Sequence, residues 1–385
     1  MFYLFILSCI LFFCLLFLSV CKIEKNIQRF LEFFFILIIL ITASSREFFQ
    51  TNSDDMIRYY DSYLVAAKSD YLQYIYIYGR EFLFETFNWF IAWITSGVLN
   101  VNQYTFLIIL PTICFSYFFY KTITPNENVS IALLCLLVPG LMLIETQLVR
   151  QTMGYFIFLY SMTISRRSYK ILLILAAIMI HATTFFLALI WYFSDKLLIK
   201  FFRTTKGIFV LPFFISCYLI GLKLTNHYQT IVANMASLPF IGFKADFLLT
   251  IDLVPFVFAK LYFVFFALVC FICTIVFSFK NDMSVTTNRK IVFNLNELQV
   301  KHLTFSYALC CLILLFSFIG QLVDRFIVLT FSSFPIFIIY FLSAIKIKKV
   351  KSVSFYPWIV FVFFLYYIFM LLQSSHFSLF NGSLG

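Results

Sequence analysis

The chain has 385 residues, of which 63% are hydrophobic and 12% are charged, and its formal net charge is +11. A soluble globular domain carries about 25% charged residues, so the composition excludes water as the main solvent of this protein. The lysines and arginines stand in short clusters between apolar stretches, which excludes the single basic face of a nucleic-acid-binding domain.

Apolar runs long enough to cross a bilayer recur along the chain, since a span needs about 20 such residues. The runs cover residues 2–20, 27–43, 103–120, 129–144, 149–164, 207–222, 256–279, 303–320, 326–344 and 355–372. We expect an all-α polytopic integral membrane protein with about 11–12 transmembrane or re-entrant helices. These helices form a single transmembrane domain over residues 1–385.

The basic clusters predict which loops face the cytoplasm, because loops rich in Lys and Arg resist translocation. The clusters are Lys22, Lys25 and Arg29, then Arg166, Arg167 and Lys170, then Lys196, Lys200, Arg203 and Lys206, then Lys280, Arg289, Lys290 and Lys301, and finally Lys346, Lys348, Lys349 and Lys351. This pattern predicts two large loops on the outer side, at about residues 44–80 and 223–255.

Two apolar segments do not fit a simple crossing. Residues 81–96 are short and carry Glu81, Glu85 and Asn88, which favours a re-entrant or interfacial helix. Residues 171–193 have basic clusters at both ends, although their length allows barely one crossing. Either this helix is broken near His181 or one cluster violates the charge rule, and we favour the break.

Charged and aromatic side chains alternate in the first outer loop. They are Arg46, Asp54, Asp55, Arg58, Tyr59, Asp61 and Tyr63. Carboxylates accept hydrogen bonds from sugar hydroxyls, tyrosine rings can stack on sugars, and one carboxylate can act as a general base. The alternative interpretation is an ordinary solvated loop.

Arginines at the outer ends of spans suggest an anionic substrate. Arg150 and Gln151 open the run that begins at Val149, and Arg325 follows the run that ends at residue 320. The planar guanidinium matches phosphate oxygens, so these arginines suit a lipid-linked phosphate. Snorkelling of Arg150 to the interface and a local ion pair between Asp324 and Arg325 are the simpler explanations.

His181 stands alone in an apolar run, where a histidine is more often a neutral core residue. Beside a helix break it can line a wet cavity and carry a proton near neutral pH. Cys270 and Cys273 form a CxxC pair without a second pair or a nearby histidine, which favours packing over zinc. No nucleotide-binding, serine-hydrolase or zinc-protease motif is visible, and we expect no metal and no cofactor.

Taken in chain order, these motifs resemble the EpsG/Wzy-type family of O-antigen and exopolysaccharide polymerases. The matching residues are Arg46, the step from Ser53 or Asp54 to Asp55, Tyr59, Glu81, Asn88, Val149, Arg150, Gln151, the stretch from Ala176 to His181, and Arg325. The family pattern has Gly-Thr before its Asp, where this chain has Asn52, Ser53 and Asp54. The choice between Asp54 and Asp55 therefore stays open.

The resemblance implies a glycosyltransferase of the bacterial inner membrane, with its active site and both large loops in the periplasm. Such an enzyme joins undecaprenyl-pyrophosphate-linked oligosaccharide repeat units without a metal, among membrane lipids and beside a chain-length regulator protein, and binds no nucleic acid. An O-antigen ligase and a flippase for the lipid-linked oligosaccharide are the alternatives.

The mechanistic hypothesis assigns roles to eleven residues of the sequence. The catalytic candidates are Asp55, His181 and Arg150, and the substrate-binding candidates are Arg46, Asp54, Arg58, Tyr59, Tyr63, Glu81, Gln151 and Arg325. Arg150 and Arg325, helped by Arg46, clamp the pyrophosphate leaving group. Asp55 or His181 takes the proton of the acceptor hydroxyl.

Overall fold

A computed structural model of the chain describes residues 24–45, 55–124, 129–136, 148–225, 259–279 and 295–316, with single positions at 227, 230, 234, 333, 336 and 337. Every regular element in these ranges is helical, which confirms the all-α class. The predicted spans at 2–20 and 355–372, and nearly all of the span at 326–344 and of the loop at 223–255, lie outside the described residues.

The helices follow one another in a simple order. They are α1 (Lys25–Ser44), α2 (Asp55–Ala66), α3 (Tyr71–Tyr78), α4 (Phe82–Thr95), α5 (Val101–Ile123), α6 (Val129–Leu136), α7 (Val149–Thr163), α8 (Arg167–Ile180), α9 (Thr183–Phe193), α10 (Ile199–Thr204), α11 (Val210–Thr225), α12 (Ala259–Phe279) and α13 (Glu297–Leu315). A 3₁₀ turn, Gly79–Glu81, joins α3 to α4, and a π-helical turn, Ser194–Leu198, joins α9 to α10.

Three of the described helices are long and apolar enough to cross a membrane: Asn26–Ser44, Val101–Ile123 and Glu297–Leu315. Val210–Leu224 and Phe266–Ser278 are shorter apolar helices. Together with the composition, these helices identify a helical membrane protein.

The described helices divide into two compact units, and the boundary between them in the sequence falls between Ala188 and Leu189, inside α9. The single domain expected from the sequence stays a prediction. In the second unit, Tyr307 of α13 donates a hydrogen bond of 2.6 Å to the carbonyl of Val210 in α11. Cys270 and Cys273 are buried and form no disulfide there, as expected for packing cysteines.

Basic residues gather at one end of the first unit. Lys121 near the end of α5 lies 2.8 Å from the Glu32 carboxylate near the start of α1. Phe118 of α5 contacts Tyr160 near the end of α7, with 5.8 Å between ring centroids, and Arg166 follows this helix end. Lys121 and Arg166 thus lie at the same end of the first unit, as does the first half of α1.

The first predicted outer loop contains α2 and α3, and these helices lie at the opposite end of α5. Tyr60 of α2 donates a hydrogen bond of 2.8 Å to the carbonyl of Leu99, directly before α5. Tyr104 in the first turns of α5 donates one of 2.8 Å to Asn88 of α4. At 1.5 Å per residue α5 is about 35 Å long, so the two ends are a bilayer apart.

The helix break predicted at His181 is confirmed. Helix α8 ends at Ile180, and His181 has an extended backbone with φ −152° and ψ 117°. Its N–H still donates to the carbonyl of Ala177 at 3.0 Å, and α9 begins two residues later, at Thr183. The break places the imidazole at the end of a helix rather than along its side.

Candidate functional site

One carboxylate joins three separate parts of the sequence. Arg150 Nη1 lies 2.8 Å from Glu81 Oε2, and His181 Nδ1 is hydrogen-bonded to Glu81 Oε1. Glu81 closes the turn before α4, Arg150 stands in the first turn of α7, and His181 stands at the break after α8. Two of these positions lie at the start of a helix and one lies at the end of a helix, so the three side chains converge from helix ends.

Aromatic rings hold the Arg150 guanidinium in place. Its Nε donates a hydrogen bond of 3.0 Å to the Tyr59 hydroxyl. Its Cζ lies 5.0 Å from the centroid of the Tyr59 ring and 5.9 Å from that of Phe84, within the range of cation–π attraction. Burial raises the pKa of Tyr59, although Arg150 acts in the opposite direction, so this hydroxyl stays neutral and can accept the bond.

The cluster is enclosed but still open to a ligand. The side chain of Arg150 is 32% exposed, whereas those of Glu81 and His181 are 14% and 13% exposed. His181 Nε2 is buried and has no hydrogen-bond partner in the part of the chain that the structure describes. A buried nitrogen without a hydrogen-bond partner lowers the stability of the protein. The same nitrogen can accept a proton from a substrate that binds beside it.

A buried polar network supports α4 behind the cluster. Tyr74 donates a hydrogen bond of 2.6 Å to Glu85, and Asn88 donates to Ser62 at 2.8 Å and to Tyr74 at 2.9 Å. The Tyr104 hydroxyl donates to the Asn88 carbonyl oxygen at 2.8 Å. These bonds tie α2, α3, α4 and α5 together, so the turn that carries Glu81 is held on a rigid base. Sequence reasoning named Glu85 only as a polar feature of a short helix, and it named Asn88 also as one of the residues that carry the family resemblance.

Asp55 and Arg58 form an ion pair one turn apart on α2. The Arg58 side chain is 58% exposed, and Tyr59 follows it on the inner face of the helix. Asp55 thus lies one turn from the Arg150 cluster along α2, and its predicted role as a base stays a prediction.

Tyr63 takes part in helix packing. Its side chain has no exposed surface, and its hydroxyl lies 2.8 Å from Thr95 Oγ1 and accepts a bond of 3.2 Å from the N–H of Leu99. Its ring lies 4.8 Å from that of Tyr104. The ring of Tyr63 thus packs inside the protein, and its predicted role in positioning a sugar stays a prediction.

The remaining candidates divide into two groups. Gln151 is buried on α7, next to Arg150. Arg46, Asp54 and Arg325 lie outside the described residues, and the choice between Asp54 and Asp55 stays open. Within the described ranges, no group of three or more His, Cys, Asp or Glu side chains is arranged to hold a metal ion.

The bond between Tyr59 and Arg150 shows where Arg150 lies relative to the segment that carries Asp55. A shared site needs Arg150 and the Asp55 segment at the same end of the helices. Because Tyr59 follows Asp55 by one turn of α2 and bonds to Arg150 directly, the structure places both at the same end.

Comparison with known proteins gives one match. The model of the EpsG family matches residues 31–382, nearly the whole chain. No curated protein and no solved structure matches the chain. The motifs read from the sequence and the family match agree, and the chain therefore belongs to the EpsG family, a Wzy-like polymerase family.

Proposed function

We propose that this chain joins undecaprenyl-pyrophosphate-linked oligosaccharide repeat units at the periplasmic face of the bacterial inner membrane. Membership of the EpsG family indicates a polysaccharide polymerase-type function. The observation that carries the finer proposal is the Glu81 carboxylate shared by Arg150 and His181. It brings a guanidinium and an imidazole together at one end of the first unit, which supports phosphate binding by the first and proton transfer to the second.

Arg150 binds the diphosphate of the donor. A guanidinium presents five N–H donors in a planar fork, more than the hydrogen bond to Tyr59 and the ion pair with Glu81 use. Its partial exposure lets phosphate oxygens approach, and its aromatic surroundings keep it in place. As the glycosyl bond breaks, negative charge develops on the leaving diphosphate, and a fixed cation offsets that charge. Arg325 and Arg46 complete this clamp in the sequence-based hypothesis.

His181 takes the proton of the acceptor. A carboxylate on Nδ1 favours the tautomer with hydrogen on Nδ1, which leaves the lone pair of Nε2 free to accept. The acceptor hydroxyl oxygen then forms a bond to the anomeric carbon of the donor sugar, and its proton moves to Nε2. The bond from that carbon to the diphosphate oxygen breaks, and the lipid diphosphate leaves. Glu81 is a positioning residue in this scheme, and no metal is needed.

The distribution of charge supports a periplasmic site. The end of the first unit that carries Lys121 and Arg166 is the basic one, and basic ends stay in the cytoplasm. Arg150 lies at the other end, where the charge rule disfavours arginines unless function requires them. The growing chain moves there from its lipid carrier onto the next lipid-linked unit, with a chain-length regulator as the expected partner.

The test uses the full chain, purified and reconstituted in liposomes with the lipid-linked diphosphate oligosaccharide supplied on the outer surface. We expect polymers of the repeat unit without added metal and without movement of the substrate across the bilayer. Translocation without new glycosidic bonds would identify a flippase and overturn the proposal.

Deletion of the gene separates a polymerase from a ligase. A strain without the polymerase should carry a single repeat unit on its lipopolysaccharide core, visible on a ladder gel. A strain without a ligase should carry none. Loss of every repeat unit, restored by the cloned gene, would therefore contradict the polymerase assignment.

A further inference from the structure

Helices α3 and α4 expose apolar and aromatic side chains and almost no charge. The sequence of α3 has no charged residue, and Leu72 and Tyr76 are 79% and 92% exposed. In α4 the only charged residue, Glu85, is buried, whereas Trp93 and Ile94 are 64% and 59% exposed. A protein surface in contact with water rarely presents such a face, so something other than water covers it.

Neither helix can cross a bilayer. At 1.5 Å per residue α4 is about 21 Å long and α3 about 12 Å, against a hydrocarbon core of about 30 Å. They nevertheless stay close to the start of the spanning helix α5, because only residues 96–100 separate α4 from it. Ser96 and Gly97 turn the chain sharply with φ of 52° and 71°, and a Cβ on Gly97 would lie 2.6 Å from the Cβ of Ala67. The end of α4 is thus fixed at the depth where the span begins.

The apolar surface continues from α4 onto a neighbouring helix. Helix α4 packs against α8. The apolar side chains of α8 that are about half exposed are Ile171, Leu172, Leu175 and Met179. In a membrane protein such a helix faces lipid. Because the two helices touch, the same lipid environment extends to the exposed side of α4.

The residue types point to the headgroup region rather than to a protein partner. Trp93 stacks on Trp89 with 6.3 Å between centroids, and Tyr71 meets Trp89 edge-on at 5.1 Å. Trp and Tyr rings, with one apolar and one polar side, concentrate at the membrane interface. A short helix pair that exposes these rings beside aliphatic side chains, and buries its one carboxylate, fits the membrane interface.

We propose that α3, the turn Gly79–Glu81 and α4 lie flat in the headgroup region of the outer leaflet and bind its lipids through Leu72, Tyr76, Trp93 and Ile94. The turn that joins these helices carries Glu81, so the ion pair between Glu81 and Arg150 lies at the depth of lipid phosphates. A diphosphate attached to a lipid carrier reaches the membrane surface at the same depth. This last step rests on the proposed function, whereas the position of the helices does not.

Depth-dependent quenching of tryptophan fluorescence tests the position. The full chain and the variant Trp93→Phe are reconstituted in phosphatidylcholine vesicles whose acyl chains carry bromine near the glycerol end or near the methyl end. Because Trp93 stacks on Trp89, both proteins also carry Trp89→Phe, so that the difference between them isolates the emission of Trp93. We expect a larger loss of this emission with bromine near the glycerol end. The matched control is Trp191→Phe, which removes a buried ring packed on Phe305 at 5.2 Å and should isolate a weakly quenched emission.

The outcomes separate this inference from the polymerase assignment. Two results would overturn the membrane position. In the first, bromolipids leave the emission of Trp93 unchanged while a water-soluble quencher reduces it. In the second, Trp93 is shielded from water only when a second protein is present. Stronger quenching with bromine near the methyl end would show a deep insertion and also overturn it. Glycerol-end quenching in a protein that makes no polymer would support the anchor and refute the polymerase alone.

Discussion

Glu81 holds Arg150 through an ion pair of 2.8 Å between Oε2 and Nη1, and the other oxygen of the same carboxylate holds His181. The group that would bind phosphate and the group that would accept a proton are thereby positioned by one side chain. Any change at Glu81 must affect both, whereas a change at Arg150 or His181 acts first on one of them. This difference makes the arrangement testable by substitution.

Replacing Arg150 by Lys keeps the positive charge but removes the planar fork and the bond from Nε to Tyr59. We expect loss of long polysaccharide at unchanged protein level, with a fall in polymerisation rate of roughly a hundredfold. Gel analysis of polysaccharide length, with an immunoblot for the protein, measures both.

Arg166→Lys is the matched control, because Arg166 lies over Tyr169 at 4.6 Å at the basic end of the first unit. This variant should make polysaccharide of wild-type length. Wild-type length in Arg150→Lys would refute the clamp.

Replacing Glu81 by Gln removes the charge that orients His181 and neutralises Arg150. We expect kcat to fall by roughly 10²-fold or more, the usual contribution of a general base. If part of the effect of the carboxylate passes through the imidazole, the double variant Glu81→Gln with His181→Gln loses less activity than the product of the two single losses.

The cycle is read from initial rates of polymer formation in liposomes, and Glu81→Asp should recover part of the activity. Losses that multiply in the double variant would show that Glu81 and His181 act independently. Unchanged thermal unfolding in all three variants would show that the losses do not come from misfolding.

The sequence singled out the residues of the candidate site, but it did not predict which of them contact one another. Glu81, Arg150 and His181 each stood out because an ionisable group in an apolar run costs about 3 kcal/mol and needs a reason. Their meeting on one carboxylate depends on the packing of α4, α7 and α8, which no local pattern encodes. The helix break at His181 was predictable because two basic clusters flank a segment too short for two crossings.

Tyr59 and Tyr63 show where the local pattern stops being informative. They stand four residues apart on the same face of α2, so their spacing predicts a common environment. The structure separates them, because Tyr59 reaches the guanidinium of Arg150 while Tyr63 packs under α4 and the start of α5. Only the position of the neighbouring helices decides between contact with an arginine and packing against other tyrosines.

Tyr59→Phe removes the bond to the guanidinium and leaves the ring. We expect polymerisation to fall about tenfold, the cost of one hydrogen bond to a charged group. Tyr169→Phe, on an exposed ring at the basic end of the first unit, is the control that should keep full activity. Equal activity of both variants would show that Arg150 does not need this anchor.

The same variant has a signature in alkaline solution. Burial raises the pKa of Tyr59 above its ordinary value of 10.0, so near and above that pH an unfolded chain loses the proton while the folded one keeps it. The unfolded state then binds fewer protons, and the free energy of unfolding falls as the pH rises. The wild type should therefore lose stability above pH 10 more steeply than Tyr59→Phe in thermal unfolding, and parallel losses would contradict a buried, neutral phenol.

Gly154 sets how closely α7 approaches the helix break. A Cβ at this position would lie 2.8 Å from Thr184 Oγ1, 3.1 Å from the carbonyl oxygen of Ala177 and 3.4 Å from His181 Cβ. Gly154→Ala must therefore push the end of α8 and the imidazole of His181 away from the Arg150 helix. We expect a loss of stability of about 1–3 kcal/mol from overpacking and a fall in kcat larger than the change in KM.

A second substitution separates this clash from a general weakening of the helix. Thr184→Ala removes the nearest atom, so the double variant should recover part of the stability and activity that Gly154→Ala loses, while Thr184→Ala alone stays near wild type. Recovery stays incomplete because the Ala177 carbonyl belongs to the backbone and cannot move aside without displacing His181. Full activity in Gly154→Ala would mean that the imidazole tolerates displacement, which is incompatible with a proton acceptor held in place by Glu81.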